Sequence, residues 1–142
     1  MLKKITTVGD SSIICDFGEN VDLNTNSKVI KLFYYVKNLA EEKKIKGLLN
    51  YTPSYNKLLI NFDLEKVKSN EIIEKIKSVN FSKIPKDLKS KNHIIPICYD
   101  EEFALDSQLI EKKLKLDFSE ITKLHCETIF FVYMIGFIPG HP

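Results

Sequence analysis

The stretch "TIFFVYMIGF", Thr128 to Phe137, is apolar at nearly every position instead of every second one. Side chains along a β-strand alternate between two faces, so a strand of this kind needs cover on both. It runs into "IPGHP", a turn in which Gly140 allows close backbone approach and Pro139 stiffens the chain. Fewer than ten residues follow Tyr133, too few to build that cover. The pattern therefore predicts a segment made to be sandwiched by polypeptide outside this sequence, and a site interrupted near the last residue.

Upstream the pattern is more regular. "KKITTVGDSSIICDFG" reads as two short strands around Gly9–Asp10, closed by Gly18. From Asp22 or Asn24, both good N-caps, a helix is expected to about Ile45. Its apolar positions Val29, Leu32, Phe33, Val36, Leu39 and Ala40 recur at three- and four-residue steps. Gly47 is placed as the glycine that ends it. "LLNYTPSYNKLLINF" gives two strands around Pro53–Ser54, and a second helix from Ser69 buries Ile72, Ile73, Ile76 and Val79. After the lysine-rich crossing Ser82–Asn92, "HIIPICY" (His93 to Tyr99) reads as a strand, with Pro96 suggesting an edge or a bulge. The core of this string, β-α-β-β-α-β, is the ferredoxin-like order, an α+β antiparallel sheet with both helices on one face. It assigns residues 1–90 to a first domain and 91–142 to the start of a second.

In that second part Asp106 is expected to cap a short helix with Leu109, Ile110 and Leu114 inward. Asp117, with Glu120 three residues on, predicts a capping box for another helix that buries Phe118, Ile121 and Leu124. The pair has the outline of a helix-turn-helix, but the N-terminus of its second helix offers Phe118, Ser119 and Glu120, and a carboxylate there would face phosphate. With a net charge of only +2, nucleic acid is not the expected partner.

All 21 basic residues are lysine, so no arginine fork is available to grip a carboxylate or phosphate. Cys15, Cys98 and Cys126 form no CxxC pair, and their odd count argues against a disulfide framework. Together with the lack of a secretory pattern or a long apolar run, this places the chain in the cytoplasm, off the membrane. His93, His125, His141 and the cysteines match no closed zinc spacing, and no metal is expected. His125 stands at the C-terminal end of a predicted helix, just before the apolar strand. It reads either as an acid/base group beside the turn or as a helix-end histidine satisfying a carbonyl. Gly136 and Gly140 mark a turn able to offer backbone N–H groups to an anion or a carbonyl.

Leu124-His125, Tyr133, Gly136-Phe137, Pro139-Gly140 and Pro142 resemble the signature of the allophanate hydrolase subunit 1 family, which includes the B component of 5-oxoprolinase and the KipI kinase inhibitor. "VGDSSIICDFG", "PSYNKLLINFD" and "IPICYDEEFALD" match further family segments in order, so the resemblance runs over nearly the whole chain. Three positions depart from it: His141 replaces a usual phenylalanine, and Phe131 and Asn56 replace common arginines.

The resemblance implies an α+β domain followed by a cyclophilin-like β-barrel domain, with this sequence halting inside the second. It further implies the non-ATP-binding component of an ATP-dependent 5-oxoprolinase, working with A and C subunits and binding no cofactor itself, while the partner uses ATP. On that reading His125 and Tyr133 are the catalytic candidates, and Gly136, Phe137, Pro139 and Gly140 the substrate-binding ones. Allophanate- or urea-type amides are alternative substrates. A KipI-like module that docks on a sensor histidine kinase, or an inactive truncated form, are the alternative functions.

Overall fold

A computed structural model describes residues 2–84, 91–136, 138 and 140–142. Gly9 adopts φ +58°, the left-handed region a tight hairpin requires, and Lys4–Val8 (β1) pairs antiparallel with Ser12–Asp16 (β2). Leu48–Pro53 (β3) and Lys57–Phe62 (β4) form the second hairpin, closed by a hydrogen bond from Ser54 N–H to the Lys57 carbonyl at 2.8 Å. The sheet order is β1-β2-β4-β3, antiparallel throughout. Leu23–Glu41 (α1) carries the chain from β2 to β3 at the far edge, leaving β4 between them.

Register decides which side chains form the core. Ile13 lies opposite Ile60 and Cys15 opposite Leu58, so these four and Phe62 share one face. All five are buried, together with Val29, Leu32, Val36 and Leu39 of α1 and Ile72 and Ile76 of Ser69–Lys77 (α2). Both helices thus supply one core on one face of the sheet, as their apolar spacing predicts. A 3₁₀ turn at Phe81–Lys83 sets Phe81 edge-on to Phe17, with centroids 6.0 Å apart.

The ferredoxin-like string departs from the structure at its last strand. That order puts a fifth-in-sequence strand, His93–Tyr99, beside β2. The place is taken by β1, and His93–Tyr99 forms no strand. The physical reason is local. β1 reaches β2 through a tight turn with little loop-closure cost, whereas a strand at residue 93 closes a long loop and carries Pro96, which has no N–H for the ladder. What stands is an α+β fold with a four-stranded antiparallel sheet.

The end of α1 also differs. The helix stops at Glu41, and Lys43, not Gly47, takes the left-handed position with φ +55°. Gly47 adopts φ +90° at the entry to β3, where a Cβ would come 2.7 Å from Lys66 Cβ. Its carbonyl accepts the Asp63 N–H at 2.8 Å.

The chain divides into two units, Met1–Leu88 with Val132–Pro142, and Lys89–Phe131. The second contains Ser107–Leu114 (α3) and Phe118–Glu127 (α4). Asp117 accepts the Glu120 N–H at 2.8 Å and the Glu120 carboxylate accepts the Asp117 N–H at 3.1 Å, the expected capping box. Asp106 stands at the N-cap of α3 but makes no side-chain capping bond.

The inward faces expected for these helices are not inward. Leu109, Leu114 and Leu124 are each more than half exposed, at 53%, 56% and 55%. Local periodicity makes an amphipathic helix, but burial needs an opposing layer, and no described residue of this unit is buried. The strand expected at Thr128–Phe137 is likewise absent among the described residues, and Ile129 is 89% exposed. Most of the crossing expected at Ser82–Asn92 lies outside the described residues.

Candidate functional site

His125 belongs to the last turn of α4, as its position before the apolar stretch suggests. Its carbonyl accepts the N–H of the C-cap Thr128, while Thr128 Oγ1 donates to the Leu124 carbonyl at 2.6 Å. The side chain is therefore released from capping its own helix. It turns to Tyr99, whose hydroxyl is hydrogen-bonded with His125 Nδ1. The rings are edge-on, as are His125 and Phe130, with centroids 6.0 Å and 5.1 Å apart. Phe118 stands edge-on to Tyr99 at 6.3 Å. Cys126 Sγ lies 3.7 Å from the same hydroxyl. The hydrogen bond with Cys126 raises the Tyr99 phenol above its ordinary value, and burial adds to the effect. Adjacent helical residues point well apart, yet Tyr99 serves as a common partner for both His125 and Cys126.

Tyr133 belongs to the other unit, and its carbonyl accepts Asn26 Nδ2 at 3.1 Å. The same amide nitrogen lies 3.2 Å and 3.3 Å from the carbonyls of Ser54 and Tyr55. Asn26 is only 4% exposed, and Thr25 and Asn56 beside it are the other buried polar side chains among the described residues. Asn56 is buried, and its carbonyl accepts the Phe17 N–H at 3.1 Å.

Beyond Tyr133 the chain closes into a tight turn. Gly136 N–H donates to the His141 carbonyl at 3.0 Å, Ile138 N–H to Gly136 at 2.8 Å, and His141 N–H to Ile138 at 3.1 Å. Gly140 adopts φ +81°, a conformation that glycine reaches without steric cost. Three N–H groups of the motif thus hold the turn itself, which limits what it can offer to an anion. Phe137 and Pro139 lie outside the described residues. Among the described residues, no group of three or more histidine, cysteine or acidic side chains could hold a metal ion. Among the described residues, no helix is long and apolar enough to cross a membrane.

Sequence reasoning passed over Tyr99 and Asn26. Asn26 had a signal, a polar residue three positions before Val29 on the apolar face of α1. Tyr99 had only its place in "IPICYDEEFALD".

The profile of the carboxyltransferase domain, subdomains C and D, matches residues 3–142. The chain belongs to that family. This is the group of allophanate hydrolase subunit 1 and the 5-oxoprolinase B component to which the motifs point. Its similarity to the B component of the 5-oxoprolinase of Bacillus subtilis (strain 168) is 27% identity over 98% of this chain and 61% of that protein. The chain thus spans about 61% of that relative's length. Among solved structures, this carboxyltransferase-domain chain is similar to TTHA0988 in space group P212121, with a TM-score of 0.67 and 24% identity, over 91% of this chain and 24% of that one. A further crystal form of TTHA0988 gives 0.69 and 25%, over 91% and 23%. These likenesses carry the fold.

Proposed function

We propose that this chain is the B component of an ATP-dependent 5-oxoprolinase, opening the lactam of 5-oxoproline together with A and C subunits. The observation that carries the reading is the family match over residues 3–142, joined to the similarity with the Bacillus 5-oxoprolinase component across nearly the whole chain. ATP is used by the partner, and this chain binds no cofactor. On the family's domain plan, residues 91–142 belong to a cyclophilin-like β-barrel domain. The exposed side chains of Ile94, Ile95, Ile129 and Ile135 would be interior in such a barrel.

Amide and lactam opening passes through a tetrahedral state in which charge develops on the carbonyl oxygen, and donors aimed at that oxygen lower the barrier. His125 is the side chain we assign to the reacting carbonyl group, with Tyr133 as the second catalytic candidate. Gly136, Phe137, Pro139 and Gly140 are assigned to substrate contact. Because the Gly136, Ile138 and His141 N–H groups hold the turn, its part is close backbone approach more than anion binding.

The test is reconstitution of the chain with A- and C-type subunits, followed by 5-oxoproline-dependent ATP hydrolysis and glutamate release. Turnover is expected from the mixture and from no single component. His125→Ala is expected to reduce it by about 10²–10³-fold, the usual effect of losing a donor to the carbonyl oxygen on which charge develops. A mixture that hydrolyses no ATP in response to 5-oxoproline, but in which the chain binds and inhibits a sensor histidine kinase, would transfer the assignment to a KipI-like regulator.

A further inference from the structure

We propose that Tyr99 is a positioning residue that fixes His125 as the tautomer with its proton on Nε2, so that the ring meets a substrate carbonyl as a hydrogen-bond donor and not as a base. The functional half of this proposal rests on the assignment of His125 to 5-oxoproline opening; the tautomer does not.

The number of available protons decides the tautomer. The Tyr99 hydroxyl has one hydrogen, and it touches His125 Nδ1 and Cys126 Sγ. Two arrangements satisfy these contacts with the phenol O–H kept inside the cluster; a third, in which Nδ1–H and S–H both donate to the phenol oxygen, leaves the strongest donor unused. In one, Cys126 S–H points to the phenol oxygen and the phenol O–H points to Nδ1, leaving the imidazole proton on Nε2. In the other, Nδ1–H points to the phenol oxygen and the phenol O–H points to sulfur, leaving a lone pair on Nε2. Imidazole nitrogen is a strong acceptor and phenol a strong donor, whereas sulfur accepts weakly. The first arrangement places the best donor on the best acceptor and asks of sulfur only a weak donation.

The surroundings keep the ring in that pose. His125 stands edge-on to Tyr99 and to Phe130, and Phe118 stands edge-on to Tyr99. The Tyr99 phenol retains its proton, since its titration is shifted upward by the neighbouring Cys126 and by burial. Among the described residues Nε2 has no protein partner, so it is the atom left for a ligand. Its hydrogen would stabilise the oxygen of a lactam or amide carbonyl as charge builds there, with no proton leaving the ring.

The experiment is long-range ¹H–¹⁵N correlation on the full chain with labelled histidine, the His125 signals being assigned by their loss in His125→Gln. The expected result is a pyrrole-type Nε2 and a pyridine-type Nδ1 in the wild type and in Cys126→Ala. Tyr99→Phe, which keeps the ring packing, is expected to give a mixture of tautomers. In the reconstituted complex the same variant should lower kcat about tenfold with little change in KM, the loss of one hydrogen bond to the reacting group. His125→Gln, which keeps an N–H donor, should retain more turnover than His125→Ala. A wild-type ring protonated on Nδ1, or a tautomer ratio unchanged in Tyr99→Phe, would overturn the proposal. The wild-type spectrum decides this even if Tyr99→Phe does not fold. Unchanged turnover in His125→Ala with the tautomer result intact would instead sink the assignment of His125 to the reaction.

Discussion

The amide of Asn26 donates to the carbonyl of Tyr133 at 3.1 Å, tying the first turn of α1 to a residue 107 positions later. The same nitrogen approaches the carbonyls of Ser54 and Tyr55, so two hydrogens serve three acceptors. At 4% exposure the group has little access to water, and its removal leaves three part-buried carbonyls short of a donor. Asn26→Ala is expected to cost about 1–3 kcal/mol in urea unfolding. Asn26→Asp should cost more, because it aims carboxylate oxygens at three carbonyl oxygens. Hydrogen exchange near Tyr133 should quicken in both. Stability within the scatter of the wild type would show that the clasp contributes nothing.

Gly47 and Gly9 both have positive φ, at +90° and +58°, but their surroundings differ. A Cβ on Gly47 would lie 2.7 Å from Lys66 Cβ, an atom next to the backbone that cannot swing away. A Cβ on Gly9 would meet nothing within 4 Å. Gly9→Ala should therefore cost only the left-handed conformation, about 1–2 kcal/mol. Gly47→Ala adds the displacement of the segment that follows β4 and should be clearly worse. Equal unfolding midpoints for the two variants would contradict the close approach.

The parts of this fold legible in the sequence are those set by near neighbours. The steps from Val29 to Leu39 give α1, Ile72 and Ile76 give α2, and the Asp117–Glu120 pair gives the start of α4. What escaped was decided by competition or by absent layers. His93–Tyr99 has strand composition, yet β1 holds the edge of β2 because it is closer in sequence. Leu124 sits where an amphipathic helix would bury it, yet burial requires a second surface. Within the candidate site, His125 was visible from its place before the apolar stretch. Tyr99 was not, because a contact spanning 26 residues leaves no period to read.

Acid should loosen the helix starts first. Backbone N–H bonds lower the titration of both Asp22, bonded to Thr25, and Asp117, bonded to Glu120. A carboxylate whose folded value is lowered contributes fully above its ordinary range, and the contribution is lost as pH falls through the folded value. Protection of the Thr25 and Glu120 amides should therefore be flat from neutrality down to about pH 4 and then drop. Asp117→Asn keeps a capping oxygen without the charge, so its Glu120 amide should lose that pH dependence while Thr25 keeps it. Residue-resolved exchange that falls equally at both sites in Asp117→Asn would assign the acid effect to something other than the caps.

Cys15 should be silent where the other two thiols react. Its side chain is fully buried in the core opposite Leu58, while Cys98 and Cys126 are exposed. Burial pushes the Cys15 thiol from 9.0 up to about 12, so the native protein offers almost no thiolate there. A disulfide-exchange reagent at mildly alkaline pH should modify two thiols quickly and the third only at the rate of unfolding. The pH dependence has the opposite sign to that of the aspartates. A group whose folded value is raised stabilises fully below its unfolded value, and that stability fades as pH climbs toward the folded one. Between 9.0 and about 12, the urea midpoint of the wild type should fall faster than that of Cys15→Val, which fills the same space without an ionisable group. Parallel curves for the two proteins, or three thiols modified at one rate, would place Cys15 outside the core.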